Sequence, residues 1–212
     1  MTINYDNLEK VLIDIRDYKL ANLLIVTKNQ SVDDIKELIN KGFNIFGENR
    51  VQEAKKKFQE LNELFNFSFH LIGPLQTNKV KDALQIFETI QSIDREKLVE
   101  EISKTLNQSE KIKTNSFYIQ INIGSESQKS GIDKSQCKDF FHYALSKDLN
   151  IQGLMCIPPN TNNVNKYFRE MIEIRNELNP NLKLSMGMSN DYKIALECHS
   201  NLIRIGSFIF ND

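Results

Sequence analysis

Leu23-Leu24-Ile25-Val26-Thr27-Lys28-Asn29-Gln30-Ser31-Val32-Asp33-Asp34-Ile35 is the stretch that decides the fold. Its first four residues form a continuous apolar run, as expected of a strand buried on both faces, and a polar break follows at once. Ser31 then precedes Asp34 by three, a capping-box spacing, and Ile35, Leu38 and Ile39 line one face of the helix it opens. Gly42 ends that helix. Upstream, Leu8, Val11, Leu12 and Ile15 fall at i, i+3, i+4 and i+7, one face of a preceding helix. Helix, strand and helix in succession make a βα unit, and the same switch of period recurs along the chain.

Working outward, a second strand is expected at 43–46, followed by an amphipathic helix carrying Ala54, Phe58, Leu61 and Phe65. Further strands are expected at 69–72, 87–91, 117–122, 151–155, 183–185 and 202–205, with helical segments between them. Eight βα repeats predict an α/β fold, a single-domain (β/α)8 TIM barrel spanning residues 1–212, near the short limit of that architecture. An open doubly wound sheet is the alternative if the strands at 87–91 and 183–185 are absent. The largest charge run, Lys55-Lys56-Lys57, lies on a helix and reads as a solvated face.

Composition narrows the function classes. With 27 Lys+Arg against 28 Asp+Glu the net charge is −1, so no cationic surplus is available to release counterions from a phosphate backbone, and no nucleic-acid partner is expected. Three cysteines, Cys137, Cys156 and Cys198, outline no disulfide framework and fit a reducing, cytoplasmic setting. The N-terminus lacks a signal-peptide pattern and no apolar run is long enough to span a bilayer, so no membrane association is expected. No large unpaired apolar stripe is visible, which favours a monomer. His70, His142 and His199 lack partner ligands at helical spacing, so no zinc site is expected, and His70 reads as a core or rim histidine with one bonded nitrogen. Gly-x-Ser-x-Gly, Walker and Rossmann patterns are absent from the sequence.

In a βα barrel the strand C-termini share one face, and the residues just after each apolar run carry the chemistry. Lys28 follows the first of the eight strands. A nucleophilic lysine needs burial or neighbouring positive charge to lose its proton near neutral pH, and Arg204 on the last strand becomes its neighbour when the barrel closes. Lys28 could then form a Schiff base with an aldehyde or ketone; the plain alternative is a solvated lysine at a strand-to-helix junction. Met186-Gly187-Met188-Ser189 and Gly206-Ser207 follow the last two strands, where small residues and helix N-terminal N–H groups commonly hold phosphate. Ser189 can cap the next helix and donate its hydroxyl; ordinary turn chemistry is an equally good account of each loop alone. Together, an amine and an anion cradle select a phosphorylated aldehyde.

Several ordered motifs carry a resemblance: Val26-Thr27-Lys28, Phe46-Gly47-Glu48-Asn49 with Val51-Gln52-Glu53, and His70-Leu71-Ile72-Gly73-Pro74-Leu75-Gln76-Thr77-Asn78-Lys79. Asn122-Ile123-Gly124 with Lys129-Ser130-Gly131, Gly153-Leu154-Met155, Leu184-Ser185-Met186-Gly187-Met188-Ser189 with Asp191, and Arg204-Ile205-Gly206 continue it. The chain resembles the pyridoxal phosphate homeostasis protein family from about residue 23 to residue 210, a family whose fold is similar to the N-terminal barrel of alanine racemase. The resemblance implies pyridoxal 5′-phosphate (PLP) as cofactor, held as an internal aldimine on Lys28. It also implies Ser189, Gly206 and Ser207 around the phosphate, Arg204 facing the pyridine nitrogen, and Asn49 and Met188 lining the site. It further implies a non-enzymatic role: keeping free PLP low and supplying it to PLP-dependent apo-enzymes in vitamin B6 homeostasis. Lys79 and Lys129 stand at motif positions and read as solvent-facing or phosphate-steering.

Two departures accompany the resemblance. Thr27-Lys28-Asn29 stands where the family usually has serine-lysine-threonine, and Phe210-Asn211-Asp212 where a glycine and an arginine are common. A PLP-dependent amino acid racemase is the alternative function. Against it, a racemase needs a tyrosine base from a second domain, and none is expected in a sequence that ends at Asp212. A Schiff-base aldolase using Lys28 without cofactor is a third reading.

Overall fold

Residues 2–109 and 111–211 are described by the computed structural model. Asn4 caps the first helix through a hydrogen bond from Asn7 N–H, and the chain then alternates. In order it runs β1 (Thr2–Ile3), α1 (Tyr5–Ile15), β2 (Asn22–Val26), α2 (Val32–Asn40), β3 (Ile45–Glu48), α3 (Val51–Leu61), β4 (Ser68–Leu71), α4 (Val80–Ile86) and β5 (Thr89–Ile93). It continues with α5 (Glu96–Gln108), β6 (Ser116–Ile121), α6 (Cys137–Ser146), β7 (Ile151–Cys156), α7 (Val164–Leu178), β8 (Lys183–Ser185), α8 (Tyr192–Glu197), β9 (Leu202–Ile205) and β10 (Phe210–Asn211). Short 3-10 turns at Thr77–Lys79 and Lys134–Gln136 lead into α4 and α6.

Strands β2 to β9 close in sequence order into a parallel barrel, sealed where Leu23, Leu24 and Ile25 pair with Ile203, Arg204 and Ile205. The eight expected strands are therefore present, and the open sheet is excluded by the β2–β9 pairing. Most boundaries agree within one residue, and two strands shift further. β3 and β5 begin two residues later than their apolar runs suggest, because their C-terminal ends, Gly47-Glu48 and Ser92-Ile93, carry polar residues that are nonetheless buried. A feature without any sequence signal is the antiparallel pair β1–β10, which brings Ile3 opposite Phe210 across the barrel's N-terminal extension.

The local chemistry is as the sequence dictates around α2: Asp34 N–H donates to Ser31 Oγ and Ser31 N–H to Asp34 Oδ2, both at 3.1 Å, and Gly42 leaves the helix at φ +94°. On α1, Leu8 and Val11 are buried and Ile15 packs against the core, whereas Leu12 is 37% exposed, so the buried stripe is narrower than the spacing predicts. Alternation along the strands divides the core into two layers. Phe46 and Phe69 meet edge-on at 6.5 Å, and Phe67 and Phe87 pack against Phe69, in an aromatic cluster joined by Phe58 of α3. Gly47, one residue out of step with Phe46, faces Leu24: a Cβ there would lie 2.3 Å from Leu24 Cδ2, so a larger residue would force the Leu24 side chain to shift.

Candidate functional site at the barrel mouth

At the C-terminal ends of the strands lies a cleft of about 260 Å³ lined by Val26, Lys28, Asn49, Ile72, Ile157, Met188, Ser189, Arg204, Gly206 and Ser207. All seven residues singled out from the sequence, namely Lys28, Asn49, Met188, Ser189, Arg204, Gly206 and Ser207, meet here. Lys79 and Lys129 do not. Lys129 is tied to Glu126 at 2.5 Å and to the Pro158 carbonyl at 3.2 Å, and it lines an adjacent recess. Lys79 lines a separate groove beside Arg95.

Lys28 sits one residue past the last ladder bond of β2, Thr27 N–H to Gly47 O, on the open rim. Its side chain is therefore exposed, and the burial that the sequence argument asked for is absent. Arg204 is the buried member: its exposure is 3%, with Nη1 donating to Ser185 Oγ and Nη2 to the Cys156 carbonyl, both at 2.8 Å. Burial pulls its pKa below the ordinary arginine value against the opposing pull of Cys156 and Asp191, yet a guanidinium remains a pure donor.

Because Arg204 only donates, it sets the direction of a hydrogen-bond file through the barrel. Ser185 Oγ accepts from it and donates to Gln91 Oε1 at 2.6 Å, and Gln91 Nε2 donates to His70 Nδ1 at 2.8 Å. His70 must then carry its proton on Nε2. Its ring looks into a cavity at the opposite barrel end with Glu88 and Lys183, and burial, aided by Lys183, lowers its pKa from 6.5 to about 4. The expected single bonded nitrogen of His70 is present, but its partner and the link to Arg204 were not legible.

The two glycine-bearing loops form the other wall. Gly187 takes φ +97° with Ala195 Cβ 2.5 Å from where its own Cβ would be, and its carbonyl accepts Arg204 N–H. Ser189 does not cap the following helix. Asp191 occupies that N-cap position and reaches back to accept Met188 N–H at 2.6 Å, while Ser189 Oγ accepts from Phe208 N–H at 3.3 Å and lies 3.2 Å from Ser207 Oγ. Burial raises the Asp191 pKa, offset in part by the Met188 N–H and Arg204. Among the described residues no backbone carbonyl accepts from the N–H of Ser189 or Ser207, which leaves two N–H donors with two hydroxyls on residues that line the cleft. Asn49 holds the facing side, with its carbonyl packed so close to Gly73 that a Cβ there would lie 2.3 Å away.

One feature of this rim overturns the sequence reading of Lys55-Lys56-Lys57. Lys55 pairs with Asp82 at the surface, but Lys57 is 5% exposed, between Glu48 at 2.8 Å and Glu53 at 2.7 Å. A helix-face argument could not find this, because the residue that turns Lys57 inward, Glu48, is a buried charge on a neighbouring strand. The three cysteines are buried and unpaired, and burial raises the Cys137 and Cys156 thiols to about 12. No described helix is long and apolar enough to cross a membrane.

The family described as alanine racemase, N-terminal domain, matches residues 3–212. The pyridoxal phosphate homeostasis protein of Aquifex aeolicus is 37% identical over 206 residues, covering 93% of this chain and 89% of its own. That of Helicobacter pylori strain J99 is 32% identical over 212 residues, covering 97% and 94%. Among solved structures, PipY of Synechococcus elongatus with PLP bound superposes with a TM-score of 0.81 at 29% identity, covering 94% of this chain and 98% of PipY. An alanine racemase of Clostridium difficile shares the fold, with a TM-score of 0.74 at 14% identity over 99% of this chain and 60% of the racemase. With relatives this similar over nearly its whole length, the chain belongs to the pyridoxal phosphate homeostasis protein family, on the barrel of the alanine racemase N-terminal domain.

Proposed function

We propose that this chain binds PLP at the barrel mouth, with Lys28 as the covalent attachment point, and serves as a cytoplasmic, monomeric keeper of the cofactor that hands it to apo-enzymes. One observation carries the reading: an exposed amine and a cluster of N–H and hydroxyl donors line one small cleft. The donor set fits a phosphate. Ser189 and Ser207 offer hydroxyls beside the uncommitted N–H groups, and Gly206 packs closely on Val26, where an added Cβ would come to 3.0 Å of Val26 Cβ. The apolar walls, Val26, Ile72 and Ile157, suit the faces of an aromatic ring.

PLP held here would supply an aldehyde able to condense with a primary amine with release of water. The chain's own residues do the rest. Lys28 would present the amine, Ser189 and Ser207 would anchor the anion, and Arg204, which has N–H donors and no lone pair to accept a proton, would favour an unprotonated ring nitrogen. An unprotonated ring is a poor electron sink, which supports holding over carbanion chemistry. Borohydride reduction of the loaded chain followed by peptide mapping tests this: the reduced adduct is expected on Lys28 and lost in Lys28→Ala, and trapping elsewhere overturns the assignment. Incubation of the loaded chain with L-amino acids in deuterium oxide tests the role, since α-deuterium incorporation at enzymatic rates refutes a non-catalytic keeper.

A further inference from the structure

Lys28 is a long, exposed side chain, and its place at the rim is set by its backbone. The two peptide groups that flank it are held by the same ion cluster. On one side the Thr27 carbonyl accepts from Lys57 Nζ at 2.7 Å; on the other Asn29 N–H donates to Glu53 Oε1 at 2.6 Å. Lys57 joins the two, bonding Glu53 at 2.7 Å and Glu48 at 2.8 Å, and Thr27 Oγ1 donates to the same Glu48 oxygen at 2.6 Å. Asn29 takes φ +61°, so the chain turns sharply immediately after the lysine.

This cluster is an odd device for stability. Glu48 is fully buried with Oε2 lacking a hydrogen-bond partner, and burying a charged pair costs desolvation that an apolar replacement of similar volume avoids. What an apolar replacement could not do is grip a carbonyl on one side of residue 28 and an N–H on the other. We propose that Glu48, Lys57 and Glu53 form a buried clamp whose role is to position Lys28 for covalent attachment of its ligand. Lys57 and Glu53 are the two jaws, and Glu48 holds Lys57 in the barrel wall. None of the three lines the cleft; they act through the backbone of residues 27–29.

The inference rests on the attachment at Lys28 proposed above. Its test compares the full wild-type chain with Lys57→Met and Glu53→Ala using three readouts. The first is the rate of Lys28 adduct formation with PLP. The second is the affinity for 4′-deoxypyridoxine 5′-phosphate, which carries the ring and phosphate but no aldehyde. The third is amide hydrogen exchange at Asn29 in the ligand-free chain. A misplacement of the amine by about an ångström slows attachment by roughly tenfold to a hundredfold. Both variants are therefore expected to form the adduct at least about tenfold more slowly, to bind the deoxy analogue within about twofold of wild type, and to exchange the Asn29 amide faster. Adduct formation at the wild-type rate overturns the clamp, as does a parallel loss of analogue affinity, which marks a general loss of structure. Should Lys57→Met fail to fold, Glu53→Ala, at the partly exposed end of the cluster, decides alone. A wild-type chain that forms no adduct refutes the cofactor reading itself, while wild-type attachment with unaffected variants refutes only the clamp.

Discussion

Protonating His70 should unfasten the polar file inside the barrel, and its effect on stability can be worked out in advance. The folded pKa is about 4 against 6.5 for a free histidine, lowered chiefly by burial and then by Lys183. The unfolded chain therefore binds a proton here between those values while the folded chain does not. The sign follows: stability is fully present above about pH 6.5 and is lost as pH falls toward 4. At about 1.4 kcal/mol per pH unit the complete loss is about 3 kcal/mol, of which about 2 has appeared by pH 5. The ring keeps some contact with solvent, so about 1–2 kcal/mol at pH 5 is the working expectation. Glu88 and Lys183 line the same cavity and are present in wild type and variant alike.

The perturbation is His70→Gln, which keeps a polar side chain beside Gln91 but has no proton to gain. Urea unfolding of both proteins at pH 7.5 and pH 5 gives a difference of differences from which other titrations cancel. The wild type should lose about 1–2 kcal/mol more than the variant on acidification. NMR should also show the Nε2–H tautomer at pH 7.5, because Gln91 already donates to Nδ1. A pH response equal in the two proteins within about 0.5 kcal/mol, or a proton found on Nδ1, refutes the reasoning.

Lys57→Met leaves Glu48 as an unpaired buried charge and should cost about 3–5 kcal/mol in chemical denaturation. Adding Glu48→Gln to it should recover at least half, and equal losses in single and double variants would contradict the pairing. Ser189→Ala removes a hydroxyl from the proposed phosphate end and should weaken PLP binding about tenfold, the equivalent of one hydrogen bond to a charged group, while leaving pyridoxal unaffected in a spectroscopic titration. Gly73→Ala forces a Cβ against the Asn49 carbonyl and should cost about 1–3 kcal/mol in thermal or urea unfolding.

How much of this was readable in advance differs by residue, for physical reasons. The barrel was legible because eight apolar runs are separated by helical spacing, and the Ser31–Asp34 box marks one junction by chemistry alone. The cleft was legible because six of its seven expected residues follow a strand and Arg204 lies near the end of one, so that chain position fixes the face each occupies. Gln91 and Ser185 were out of reach, since they are 94 residues apart and meet only when the barrel closes. Lys57 was misread for a related reason: helix periodicity locates a side chain relative to its own axis, not relative to a carboxylate on β3. The β1–β10 pair consists of strands too short to show any period.

The arrangement of charge also bears on why the mouth should hold a cofactor rather than turn one over. Arg204 is fixed from behind by Ser185 Oγ and the Cys156 carbonyl, and that file is anchored in turn by Gln91 and His70. A guanidinium so held has no freedom to give way to a protonated ring nitrogen, and it cannot itself accept that proton. Asp191, the carboxylate that contributes to its electrostatics, has Oδ1 committed to Met188 N–H. Lys28, in contrast, is left exposed on the rim. On the proposed placement of PLP, a donor-only Arg204 behind the ring and an exposed Lys28 in front would favour holding and releasing the cofactor over carbanion chemistry.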